Sequence, residues 1–190
     1  MNNNIDDVNY KISNSSISMR DILELVTVAV EFCAYVEGVS SKDRRHFVST
    51  MQKLLPLLYL KGVLTPKYEL AEECDTDSLS SFVSMENYDI IRYNIAFVMG
   101  EYDSFLDVFV EDMKYSDTPI LSSVSENIAD IYQDLKNFVC SYKDGTEEMR
   151  YNAIVMCKYN FENYWGQRLV NVLRALHEVC YGEIADDEVY

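Results

Sequence analysis

Arg168 is the charged residue that the helical pattern of residues 147–180 turns toward an apolar arc. At about 100° per residue, Phe161, Trp165, Leu169, Val172, Leu176 and Val179 share one face. Gln167, Asn171, Arg174 and Glu178 share the opposite one. Arg168 falls about 60° from the apolar centre, beside Trp165. Arg150, about five turns earlier, points the same way. A guanidinium on a buried arc must be paired or must reach water. The expected partner is a carboxylate from residues 64–134, with Trp165 stacked nearby. Such a pocket could also take a small anionic ligand or a partner's carboxylate.

Spaced acids are the other feature with chemical content. Asp103, Asp107 and Glu111 stand at i, i+4 and i+8, as do Glu126, Asp130 and Asp134. Facing rows of this kind could hold Mg²⁺ for a small hydrolase or phosphohydrolase, with Asp130 and Asp134 as ligands. The helical wheel argues against a buried metal. Glu126 lies opposite the apolar centre, Asp130 about 140° from it and Asp134 about 100°. Asp107 and Glu111 also point outward, so with Asp112 they read as an acidic binding surface. Two histidines are too few for a three-histidine site or a ferritin-like pair of Glu-x-x-His motifs. No glycine-rich phosphate loop or nucleophile elbow is present.

Helices must position these residues. Ser18 and Asp21 resemble a capping box before the 3-4-3 rhythm of Ile22, Leu25, Val26, Ala29, Phe32, Cys33 and Val36. Gly38 ends that helix. Ser41 can cap a second, with a kink or restart at Pro56 and a stop at Gly62 and Pro66. Residues 64–84 read as an acidic mobile loop. Ser84 caps a third helix carrying Ile90, Ile91, Tyr93, Phe97 and Val98. Gly100 breaks it, and Tyr102, Phe105, Leu106, Phe109, Val110 and Met113 suggest a fourth. Ser123 with Glu126 opens a fifth, and Thr146 caps a long C-terminal helix to about residue 180. Gly166 within it costs about 1 kcal/mol relative to alanine, which implies another segment passing close. The expectation is an all-α, single-domain antiparallel bundle of about six helices over 18–182. Residues 1–17 read as disordered and 183–190 as an acidic tail.

Six glycines and three prolines in 190 residues favour this over a turn-rich β fold. The net charge is −16 and uneven: residues 64–134 hold 16 acids and 3 bases, whereas 1–63 hold 7 of each. That balance excludes nucleic acid and an acidic membrane surface as partners, and favours a basic protein surface. No apolar run is long enough to span a bilayer. The five cysteines show no metal or redox spacing and read as reduced, in a cytoplasmic protein.

The stretches "SENIADIYQDLKNFV" and "NYWGQRLVNVLRALHEV", with "FLDVFVEDMKYSDTPI" and "LLPLLYLKG", resemble a bacterial family of about this length known only as a domain of unknown function. The likeness spans roughly residues 20 to 182. It implies a small helical cytoplasmic protein and carries no assigned activity, cofactor or site residue. From the residues themselves, the expected function is a non-enzymatic binding or regulatory module.

Overall fold

The computed structural model describes residues 5–67, 81–107 and 120–182, with side chains from Met19 onward. Helix α1 (Ile5–Glu37) begins well before Ser18. No glycine or proline precedes Gly38, so nothing in the sequence interrupts the helix at the expected cap. Gly38 does end it, its N–H donating to the carbonyls of Ala34 and Tyr35. Helix α2 (Arg44–Leu64) is capped by Asp43, whose side chain accepts the His46 N–H at 2.9 Å. Ser41 instead lies in a preceding 3-10 turn. Neither Pro56 nor Gly62 ends α2, which runs on to Leu64.

The three later caps stand as read. Ser84 starts α3 (Met85–Met99), Ser123 starts α4 (Val124–Asp144) and Thr146 starts α5 (Glu147–Asn160). One π turn, Phe161–Trp165, joins α5 to α6 (Gly166–Tyr181), so the C-terminal rod is long. The helix expected over 102–113 is not formed where the chain is described. Gly100, at φ +59°, leads into a 3-10 turn. Strand β1 (Ser104–Asp107) then pairs antiparallel with β2 (Ile120–Ser123), Ser104 facing Ser123 and Asp107 facing Ile120. Outside partners hold this stretch extended. Asp103 accepts the Ser125 N–H at 2.8 Å, and Asn171 Nδ2 donates to Asp107 at 2.7 Å. Residues 1–4, 68–80, 108–119 and 183–190 lie outside the described residues, and with them most of the expected acidic loop, the tail, Glu111 and Asp112.

The architecture is an all-α antiparallel bundle with a small hairpin at its side. Helix α4 is the central element, packed by α1, α3, α5 and α6, while α2 pairs with α1 and α6. Its burial follows: Val124, Ile128, Ala129, Ile131 and Leu135 are fully enclosed, and so are Ser125, Asn127 and Asp130 nearly so. Phe32, Phe47, Met51, Leu55 and Trp165 complete the core. Each such side chain contributes about 1.5–3 kcal/mol over exposure.

The π turn locks to α2. Phe161 sits against both Gly62 and Gly166, with Tyr59 edge-on at 5.3 Å and Trp165 at 4.8 Å. Gly166 is thus explained, though by the turn before it: a Cβ there would run into the Phe161 carbonyl. The Lys158 ammonium, largely buried, donates to the carbonyls of Gly62 (2.9 Å) and Val63 (3.3 Å), closing the end of α2. A Cβ at Gly62 would approach the Phe161 ring to 2.7 Å. Because the ring is also packed against Tyr59, Trp165 and Gly166, Gly62→Ala is expected to lose about 1–3 kcal/mol of stability in urea denaturation, despite alanine's better helix propensity. Phe161→Leu in the same chain should recover part of that loss.

Candidate functional site

The inward guanidinium finds its carboxylate. Arg168 Nη1 lies 2.9 Å from Asp130 Oδ2, across the α4–α6 contact, and 3.2 Å from Asn127 Oδ1. The Tyr88 hydroxyl, from α3, donates to Asp130 Oδ1 at 2.8 Å. Tyr164 places its ring 4.5 Å from the Arg168 guanidinium; burial and then the charge of Asp130 raise its phenol. Asn127 is itself oriented, its amide donating to Ser122 Oγ and the Ser123 carbonyl. Three helices and the π turn thus meet on one ion pair.

One turn along α4, Asp134 accepts the Asn160 amide at 2.9 Å through Oδ1. Its Oδ2 is buried with no hydrogen-bond partner. Burial pushes this carboxyl up to about 6, with the charge of Asp130 adding and Asn160 and Arg168 opposing. The single cation is spent on Asp130, so the second carboxyl keeps its proton into the near-neutral range. Burial, then the hydrogen bond to Asp130, raises the Tyr88 phenol. Burial also raises the Cys157 thiol, which favours its neutral form.

Several expected positions are corrected. Asp130 is not an outward acid: it is 9 % exposed, because neighbours surround α4 on nearly every side. Asn171 is likewise buried, under the hairpin. Arg150 is exposed on the first turn of α5 and does not share the face of Arg168. A π turn takes in one extra residue and rotates the pattern by about 100°, so a single wheel cannot be carried through 147–180. Trp165 does not stack on Arg168. It is fully buried against Phe161, and its indole N–H donates to the Cys157 carbonyl at 3.3 Å. Tyr164 takes the cation instead. The anion pocket expected at Trp165 and Arg168 is thus closed from one side by burial and satisfied from the other by Asp130. Asp107 lies on β1, bonded to Asn171 rather than in an acidic row with Asp103. Among the described residues no group of three or more His, Cys, Asp or Glu gathers to hold a metal ion. Asp130, the first proposed Mg²⁺ ligand, already carries a guanidinium.

The wheel missed Tyr88, Asn127, Asn160 and Tyr164. Two signals were present: Tyr164 precedes Arg168 by four residues, and Asn127, Asp130 and Asp134 run at i, i+3 and i+7 along α4.

Residues 17–182 match the family described as a domain of unknown function, DUF5063, and the chain belongs to that family. The fold is similar to the crystal structure of protein BF1032 from Bacteroides fragilis. The two are 38% identical, with a TM-score of 0.73, over 85% of this chain and 92% of that one. No curated protein matches. No described helix is long and apolar enough to cross a membrane.

Two outcomes follow from the cluster. Arg168→Met leaves a buried carboxylate unpaired and should cost about 3 kcal/mol by denaturant titration. Adding Asp130→Asn should return much of it. For Asp134, the folded chain binds a proton between the unfolded value of 3.8 and about 6 that the unfolded chain has released. Stability therefore falls as pH rises through that window. Asp134→Asn should flatten the fall between pH 4 and 6 and raise the melting temperature at pH 7.5, worth up to about 3 kcal/mol; a steeper profile in the variant would contradict the assignment.

Proposed function

We propose that the protein is a non-enzymatic binding or regulatory module that engages a basic partner protein through an acidic, partly apolar face. The observation that carries this is the outer side of α3. Tyr93 is 68% exposed, Phe97 76% and Ile90 49%. The aliphatic row Ile91, Ile95 and Met99 takes the packing against α4, so the second apolar row, which the sequence pattern had placed in the core, faces outward. At about 100° per residue, Glu86, Asp89, Ile90, Tyr93 and Phe97 fall on one strip of the helix. Glu86, Asp89, Ile90 and Tyr93 line a shallow depression there.

Aromatic side chains left in water at this density mark an interaction surface. The carboxylates beside them select the partner: a segment that presents apolar residues flanked by lysine or arginine. The surplus of acids over 64–134 supports the same sign of charge. The buried cluster at Asp130 serves as the rigid support on which α3 is held, through Tyr88.

The test is affinity capture with the full chain at low salt, followed by direct titration of whatever basic protein is identified. Phe97→Ser with Tyr93→Ser should weaken that complex by about tenfold or more, ~1.4 kcal/mol at least, with the melting temperature unchanged. Glu86→Gln with Asp89→Asn should slow association and reduce its dependence on salt. A complex indifferent to all four substitutions would refute the α3 assignment.

A further inference from the structure

A second concavity lies away from α3's outer strip, between the hairpin and the C-terminal half of α6. It has a volume of about 760 Å³, within the range of small-molecule sites. Its walls are Tyr102, Phe105, Leu106, Ala175 and Val179. Ser104 adds a hydroxyl, and three charged residues complete the lining: Glu101, Glu178 and Arg174.

The charges decide what fits. The Arg174 guanidinium spends a donor on the Leu106 carbonyl at 3.3 Å, which tethers β1 to α6. Glu101 and Glu178 are both exposed, so the lining carries a net negative charge. The whole chain adds a field of −16, which disfavours entry of an anion. Aromatic walls have the complementary property, since their faces attract cations. Tyr102 already takes one such cation, with the Arg44 guanidinium 4.3 Å from its ring centroid.

We propose that this cavity is a binding site for a small organic cation: an amine whose apolar body packs on Phe105, Ala175 and Val179 while its ammonium meets Glu101 and Glu178. The apolar walls provide desolvation, and the two carboxylates provide the choice of charge. The site is separate from the α3 strip and does not depend on the partner proposed for it.

Three probes with one apolar body separate charge from shape: phenethylamine, phenylalanine and 3-phenylpropionate, titrated into the full chain by heteronuclear NMR. Phenethylamine should bind saturably, tightest of the three, and should shift the amides of Ser104, Phe105, Ala175 and Val179. Glu101→Gln with Glu178→Gln should weaken it by about tenfold or more, and Val179→Trp, which fills the space, should abolish it. Melting curves and the unperturbed spectrum of α3 show that the variants are folded. Preference for 3-phenylpropionate or phenylalanine, shifts elsewhere, or no saturable binding by any probe would overturn the proposal.

Discussion

The contact between Arg168 and Asp130 is the constraint around which the bundle is arranged. It joins α6 to α4 at 2.9 Å, and Tyr88 brings α3 to the same carboxylate. Asp130 is buried while the Arg168 side chain is a third exposed, and the pair gives little net stability because desolvation of the carboxylate offsets most of the attraction. Its weight lies in what it forbids. Sliding α6 by one residue, or turning α4 by a fraction of a turn, would leave a carboxylate without a cation in an apolar interior. Arg168 also donates to Asn127 and lies over the Tyr164 ring, so the pair fixes side-chain geometry as well as helix register.

Asp134 shows the limit of that arrangement. One guanidinium serves two carboxyls a turn apart, and only one of them is matched. The other meets the cost of burial by retaining a proton, with one oxygen on Asn160 and one left without a partner. The π turn belongs to the same compromise. It begins immediately after Asn160 and ends at Trp165, so it lets Asn160 face Asp134 while the next residues return to an apolar face. Phe161, packed against Gly62 and Gly166, anchors the turn to α2. With the extra residue, Asn160 and Arg168 both face α4, at Asp134 and Asp130, while Phe161 faces α2.

Much of this was legible in the sequence, and the failures have physical causes. The helices at 84, 123 and 146 were announced by Ser84, Ser123 and Thr146, since capping is local chemistry. The pairing of Arg168 with an acid from 64–134 followed from a charge on an apolar arc. The pairing residue itself does not, because the pattern of α4 implies one wet side, and an element packed by four neighbours has almost none. The wheel over 147–180 failed at Arg150 and Trp165 because the phase changes at the π turn, and nothing in "NFENYW" local propensity marks that change. The stretch around Tyr102 and Phe105 was read as a helix from its apolar spacing. It forms a 3-10 turn and a strand because distant groups, β2, Ser125, Asn171 and Arg174, supply its hydrogen bonds. Local pattern cannot register partners that are tens of residues away.

The outward row on α3 follows from the same geometry. Helix α3 meets α4 closely, and only one face of a helix can take part in such a contact. Its sequence carries two apolar rows, one aliphatic and one largely aromatic, and the straight aliphatic row of Ile91, Ile95 and Met99 packs into α4. Tyr88 completes that inner face and hands its hydroxyl to Asp130. The aromatic row is then excluded from the core by construction, not by accident of folding. Leaving Tyr93 and Phe97 in water sacrifices burial that the fold had available residues to use, at about 25 cal/mol per Å² of apolar surface. A chain that keeps such residues beside Glu86 and Asp89 holds them on a helix tied to the central ion pair through Tyr88. A preorganised helix lowers the entropic cost of association, which is the physical ground of the proposal that a partner docks on α3.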